Sequence, residues 1–270
     1  MGYETELIAL YSVVTLLKCP RQKFSSCWRK FLLLRRMPRF SGVCLLFAAA
    51  LGMVFGHPSG VAAQAGSPST LGGVLSELDR RASSFHSLSA DVDRTKVTVV
   101  VNDKSTDPGS ILVDGEKMLL QMKPPDARTV LKTGDTLYVY NPGLKRVEEY
   151  NLGKNRALVD EFMLLGFGTR GRQLQQSYQV TLAGEPTLDA KKTIELELIP
   201  NSQAVKNQFS KIQIWYDPAN WLPVQQEFFE TGSGDYSIVR YSNVVKNPHI
   251  DDSEFKPHWP KGTEKVKPQS

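Results

Sequence analysis

After Cys44 the chain contains no cysteine: its three, Cys19, Cys27 and Cys44, fall within the first 45 of 270 residues. That absence excludes thiol catalysis, thiolate metal sites and a disulfide framework from everything downstream. Histidine is almost as scarce. His57 belongs to the leader described below, which leaves His86, His249 and His258, far apart and without partners at ligand spacing. No metal site or cofactor is expected. Neither a G-x-S-x-G elbow nor a P-loop occurs, and the carboxylates (Glu195, Glu197, Asp217 among them) lie at strand surfaces and turns. No acid, base and nucleophile come together in the sequence, and the chain is not read as an enzyme.

An excess of positive charge is also missing from the main part of the chain. The formal charge of +5 is concentrated in residues 1–65, where eight Lys or Arg face two Glu; the remainder carries 25 basic against 26 acidic residues. A nucleic-acid surface is therefore not expected. The leader itself reads as a secretory signal over residues 37–65. Arg35-Arg36-Met37-Pro38-Arg39 precedes an apolar run from Val43 to Phe55, and small residues follow at Val61-Ala62-Ala63 and Ala63-Gln64-Ala65. Cleavage is expected after Ala65, with Ala63 as the alternative. The run falls short of the roughly 20 residues a membrane-spanning helix needs. Residues 1–36 read as a mis-assigned extension before a start at Met37; retention as a membrane anchor, using the apolar Leu7–Leu17, is the competing reading. Val43 stands where a lipidation signal at Cys44 would want a small residue, so lipidation is not expected. Either way the exported part is placed in the periplasm as one domain over residues 66–270.

What the exported part does have is periodicity. Leu71, Val74, Leu75, Leu78, Ala82 and Phe85 recur at three and four, a helix that Ser69 or Thr70 can cap. After Ser87 the period drops to two, with Val97, Val99 and Val101 alternating with Lys96, Thr98 and Val100. Asp107-Pro108-Gly109, Asp114-Gly115, Thr133-Gly134-Asp135 and Asn141-Pro142-Gly143 read as turns between short strands, an antiparallel meander. Residues 155–167 carry Leu158, Val159, Phe162, Met163 and Leu165 at helical spacing, ended by Gly166 and Gly168. Strands resume at Tyr178–Ala183, Thr193–Ile199, Phe209–Tyr216, Val224–Glu230 and Tyr236–Asn243; Lys261–Ser270 reads as a polar, frayed tail. Ten or eleven strands with two helices predict a large antiparallel sheet curved into an incomplete, half-open barrel, the helices covering its concave face.

Gly166-Phe167-Gly168-Thr169-Arg170-Gly171 matches a dinucleotide fingerprint, but a helical segment precedes it and the surroundings are β, so it reads as a flexible connection. The alternate strand positions are rich in aliphatic side chains. Met118, Leu120, Leu137, Val139, Leu196, Leu198, Ile212, Ile214 and Phe228 serve either as an ordinary core or as the lining of a cavity for a greasy ligand.

The order of features resembles the LolA-type periplasmic carriers of outer-membrane lipoproteins. The resemblance rests on a leading helix ending in Phe85-His86-Ser87-Leu88-Ser89-Ala90, on Gly109 opening a hairpin, on Leu131 to Pro142, and on the closing Phe255 to Thr263. It implies a monomeric carrier of acylated lipoproteins or lipids, with a helical lid over an acyl-chain cavity, working between an inner-membrane exporter and an outer-membrane acceptor. Leu158, Phe162, Met163 and Leu165 are the lid residues it suggests. Family members close the lid with an arginine where this chain has Met118; Arg94 and Arg128 are the substitutes nearest to hand. Two other readings stay open: a lipid- or lipoprotein-sensing module tethered to the inner membrane, and a carrier of another amphiphile such as a phospholipid or glycolipid.

Overall fold

Residues 70–267 are described in a computed structural model; the leader, its cleavage positions and residues 268–270 lie outside the described residues. The first helix, α1 (Leu71–Ala82), begins where the Thr70 hydroxyl accepts a hydrogen bond from the Gly73 N–H, and it buries Val74, Leu75 and Leu78. A meander follows, made of β1 (Ser87–Thr98), β2 (Asp103–Asp114), β3 (Lys117–Met122), β4 (Arg128–Thr133), β5 (Thr136–Asn141) and β6 (Arg146–Asn151). The second wing begins with β7 (Tyr178–Gly184), β8 (Thr187–Leu188) and β9 (Lys191–Lys192). It continues through β10 (Ile194–Pro200), β11 (Phe209–Tyr216), β12 (Pro223–Glu230) and β13 (Tyr236–Lys246), and β14 (Glu264–Val266) comes last.

Twelve of these strands form one sheet in the order β14-β6-β5-β4-β3-β2-β1-β13-β12-β11-β10-β7, while β8 and β9 make a small separate hairpin. The sheet is curved and does not close: β14 and β7 are its two edges. Every ladder is antiparallel except the short pairing of β14 with β6. The predicted half-open barrel, with helices on its concave face, is the architecture found. Strand β1 lies at the middle, paired to β2 on one side and to β13 on the other. Alternation decides which side chains turn inward. Leu88, Ala90, Val92, Arg94 and Lys96 of β1 are all buried, while Asp91 and Asp93 between them are exposed.

Four local expectations are corrected. Asp107-Pro108-Gly109 is no turn and does not open a hairpin; it lies inside β2. The reversal comes earlier, at a 3₁₀ turn over Val99–Val101 closed by Asn102 at φ 50°, and the three valines are exposed at its tip. Long-range contacts override the local turn signal. Asp107 is buried against Arg94, and Gly109 passes so close to β3 that a Cβ would meet the Gln121 carbonyl oxygen at 2.5 Å.

Next, the 155–167 segment forms α2 over Arg156–Met163 only, and the glycine-broken connection carries an unexpected third helix, α3 (Gly171–Ser177). Its glycines are there for close approach: a Cβ on Gly168 would lie 2.4 Å from the Phe85 ring, and one on Gly171 would lie 2.5 Å from the Leu75 carbonyl oxygen. The polar tail is not frayed over its length either, since residues 264–266 form β14. Finally, twelve strands rather than ten or eleven make up the main sheet. On the convex face Phe255 covers Leu119 and Leu131, and Trp259 packs on Tyr138 and Tyr140, which gives the closing Phe255–Thr263 segment its packing role.

Candidate functional site

The concave face and α2 enclose one apolar space. A single cluster of buried side chains runs from α1 through both wings of the sheet, and α2 adds Val159, Phe162 and Met163 to it. Phe162 stacks on Phe209 with ring centroids 5.6 Å apart, and the Phe228 ring completes the group at 5.8 and 5.5 Å. Beside this aromatic plug lies a cavity of about 80 Å³ bordered by Met118, Leu120, Met122, Val130, Phe162 and Phe228, among others. Its wall is almost wholly apolar; Gln226 and Tyr241 supply neutral polar groups, and Arg94 is the one charged residue on it.

The predicted residues divide. Met118, Leu120 and Phe228 border the cavity, as do Phe162 and Met163 of α2. Leu137, Val139, Leu196, Leu198, Ile212 and Ile214 belong to the surrounding packed cluster instead, the last four with no exposure at all. Leu165 is buried just past the end of α2, and Leu158 is partly buried against the same cluster.

Helix α2 is tied down differently at its two ends. At its start, Arg156 makes ion pairs with Glu116 and with Asp135 (2.6 Å), both in turns of the meander. One turn on, Asp160 meets Lys132, which projects from β4 and is only 1 % exposed; the distance is 2.5 Å. The same ammonium donates to the Glu116 carbonyl at 2.7 Å. Past the far end, the Gln226 amide on β12 donates to the Leu165 carbonyl at 2.6 Å, and the Tyr241 hydroxyl donates to the Gln226 carbonyl at 2.7 Å. Glu161, on the same helix, has its carboxyl raised by burial, an effect that a hydrogen bond from Ser177 partly offsets.

Arg94 and Arg128, considered above as substitutes for a lid arginine, meet in a different place. Arg94 donates to Asp107 at 2.8 Å and to Asp126 at 3.2 Å; Lys96, 4 % exposed, pairs with both carboxylates; Arg128 reaches Asp126 at 3.3 Å. Asp126 sits in the turn between β3 and β4, and of this group Arg94 is the member that borders the cavity. Burial alone would raise the Asp126 carboxyl. Hydrogen bonding from Lys96 and the charges of Lys96, Arg128 and Arg94 outweigh it and hold the group below its ordinary value. Among the described residues no cluster of His, Cys, Asp and Glu is placed to hold a metal ion.

Sequence reasoning passed over Lys96, Asp107, Asp126, Lys132, Asp160, Gln226 and Tyr241. A signal for several was there: Lys96 is in phase with Val92, Lys132 with Val130, and Gln226 with Phe228. A charged or amide side chain in the apolar phase of a strand must find a partner across the core.

Comparison with known proteins gives likeness without assignment. A family model described as "Uncharacterized protein" matches residues 114–247. An uncharacterized protein of Methanocaldococcus jannaschii is 26 % identical over 129 residues, 48 % of this chain and 35 % of the relative, so the match spans about a third of that protein. An uncharacterized conserved protein of Thermus thermophilus superposes with a TM-score of 0.48 at 12 % identity, covering 71 % of this chain and 98 % of the other. A LolA superfamily protein of Nitrosomonas europaea superposes with a TM-score of 0.36 at 16 % identity, covering 68 % and 97 %.

Proposed function

We propose that the protein binds the hydrocarbon chains of an amphiphile beneath α2 and carries them through the periplasm, with acylated lipoproteins passing from an inner-membrane exporter to an outer-membrane acceptor as the cargo. The observation that carries this reading is the aromatic plug of α2 seated beside a residual apolar cavity. At 80 Å³ the cavity is far smaller than the roughly 300–1,000 Å³ of a ligand pocket, and an acyl chain does not fit it as it stands. The site is therefore a filled one, and cargo enters by displacing Phe162 and Met163 together with the helix that bears them.

The energetics suit a carrier. Each methylene taken out of water contributes about 0.8 kcal/mol, so a dozen give about 10 kcal/mol. Opening must come out of that gain: Phe162 and Met163 lose their burial, and the Lys132–Asp160 pair and the Gln226–Leu165 hydrogen bond are strained or broken. The remainder holds cargo firmly enough to cross water and loosely enough to let it go.

The test is displacement of an environment-sensitive apolar dye by a diacylated lipopeptide, together with native mass spectrometry of the protein purified without detergent. Saturable displacement and a bound acylated species are expected. A clean unliganded mass combined with no displacement overturns the reading.

A further inference from the structure

Apart from the neutral Gln226 and Tyr241 the cavity wall is apolar except at Arg94, and in the charged group that Arg94 joins the cations outnumber the carboxylates. Three cations, Arg94, Lys96 and Arg128, converge on the carboxylate of Asp126, and Asp107 is the second carboxylate of the group. The five side chains together carry a formal charge of +1. Arg94 and Lys96 are 3 % and 4 % exposed, whereas Asp126 is 24 % exposed. The cluster thus begins at the cavity wall and ends near solvent.

Stability alone does not call for such a group. Buried ion pairs are frequently no better than apolar residues of the same volume, because the desolvation of each charge offsets its attraction. The position of Asp126 shows what the cations recognise: an oxyanion delivered from the turn at residues 123–127, held in charge-assisted hydrogen bonds by a guanidinium and an ammonium.

We infer that this end of the cavity is a head-group subsite for amphiphiles bearing an acidic oxyanion, a carboxylate or a phosphate, with Arg94 facing the ligand and Asp126 the built-in carboxylate it displaces or lies beside. The inference rests on the cavity holding apolar chains, and it narrows the cargo. The hydrocarbon lies under α2 and the acidic head meets Arg94, Lys96 and Arg128 at the partly exposed end. Cargo whose head is neutral gains nothing there.

The experiment compares dodecanoate, dodecyl phosphate and dodecanol, three probes with one chain and different heads, as competitors of an apolar dye on the full-length protein. Dodecanoate or dodecyl phosphate is expected to bind at least tenfold more tightly than dodecanol, and the tighter of the two identifies the oxyanion. Arg94→Gln is expected to bring the ratio of acidic-probe to dodecanol affinity close to one, and Arg94→Lys to restore part of that ratio. Asp126→Asn, which removes the competing carboxylate, tightens the acidic probes several-fold, a gain that a purely structural cluster would not give. Should Arg94→Gln fail to fold, the paired change Arg94→Met with Asp107→Leu removes both charges together and carries the same expectation. Equal binding of all three probes to the unaltered protein overturns the subsite and leaves the cavity standing. Binding of none overturns the cavity as well.

Discussion

On β10 and β11 the inward side chains are Leu196, Leu198, Ile212 and Ile214, none with any exposure and all packed into the core. On β3 the corresponding positions are Met118, Leu120 and Met122, and all three border the cavity. Both rows are apolar and both lie on the concave face. Their chemistry differs: isoleucine is stiff at χ1 and fills a fixed shape, whereas methionine is unbranched and adapts to what it touches. One side of the concave wall is fully packed, and the other borders the cavity with the more adaptable side chains. That division also places α2, which is pinned by charge to the adaptable side and by a neutral hydrogen bond to β12.

The largest test of this contrast sets Leu196→Glu against Leu120→Glu. A carboxylate at Leu196 has no partner and no water, so the cooperative thermal transition should disappear, a loss of about 4 kcal/mol or more. Leu120→Glu should keep its transition and lose dye binding. Equal damage from both substitutions would erase the distinction. Next in size is Asp160→Ala. It strands Lys132, 1 % exposed, without its carboxylate and should cost about 3–5 kcal/mol in urea unfolding. Gln226→Leu, past the other end of α2, removes a neutral hydrogen bond and should cost only about 1–2 kcal/mol. Its clearer signature is faster amide exchange within residues 156–168, and unchanged exchange there would show that this contact does not hold α2 in place.

The smallest expected effect is in pH. The Asp126 carboxyl is held below its ordinary value in the folded protein, so its contribution is complete above the unfolded value near 4 and fades as the pH falls further, through the folded value. Unfolding midpoints measured between pH 3 and 7 should fall more steeply at the acid end for the unaltered protein than for Asp126→Asn. Parallel profiles would mean that the cluster gives the folded state no such advantage.

Much of this was legible beforehand. Alternation located β3 to β6 and the strands from β10 to β13, and the period from Leu71 to Phe85 located α1, whereas the alternation read over Lys96 to Val101 falls in good part on the 3₁₀ turn that ends β1. The failures share a cause. Asp-Pro-Gly obeys a local turn rule, yet Asp107 answers to Arg94, thirteen residues earlier in the chain and directly opposite it in the β1–β2 register. Glycines at 168 and 171 read as breaks because the Phe85 and Leu75 atoms above them cannot be seen in sequence. The site was legible only as a set of apolar positions. Period two assigns Leu196 and Leu120 the same face, and nothing local tells which stretch of that face remains unfilled. The charged fastenings were visible as residues out of keeping with their phase, but their partners lie on other strands, turns and α2.

The place of β1 at the middle of the sheet has a consequence for how the molecule forms. Its pairing with β2 is local, joined by a short turn, whereas its pairing with β13 matches Val97 to Tyr236 and Leu88 to Lys246 across nearly the whole described chain. The β1–β6 meander can be assembled from neighbours in sequence, but it keeps one bare β1 edge until β13 arrives. Closing so long a loop is slow, and an unpaired central strand is an invitation to foreign strands in the interval. Arg94 and Lys96 lie buried on that waiting strand. Until the second wing arrives, they leave its inward face less uniformly apolar, a poorer template for mispairing than a run of valines would be.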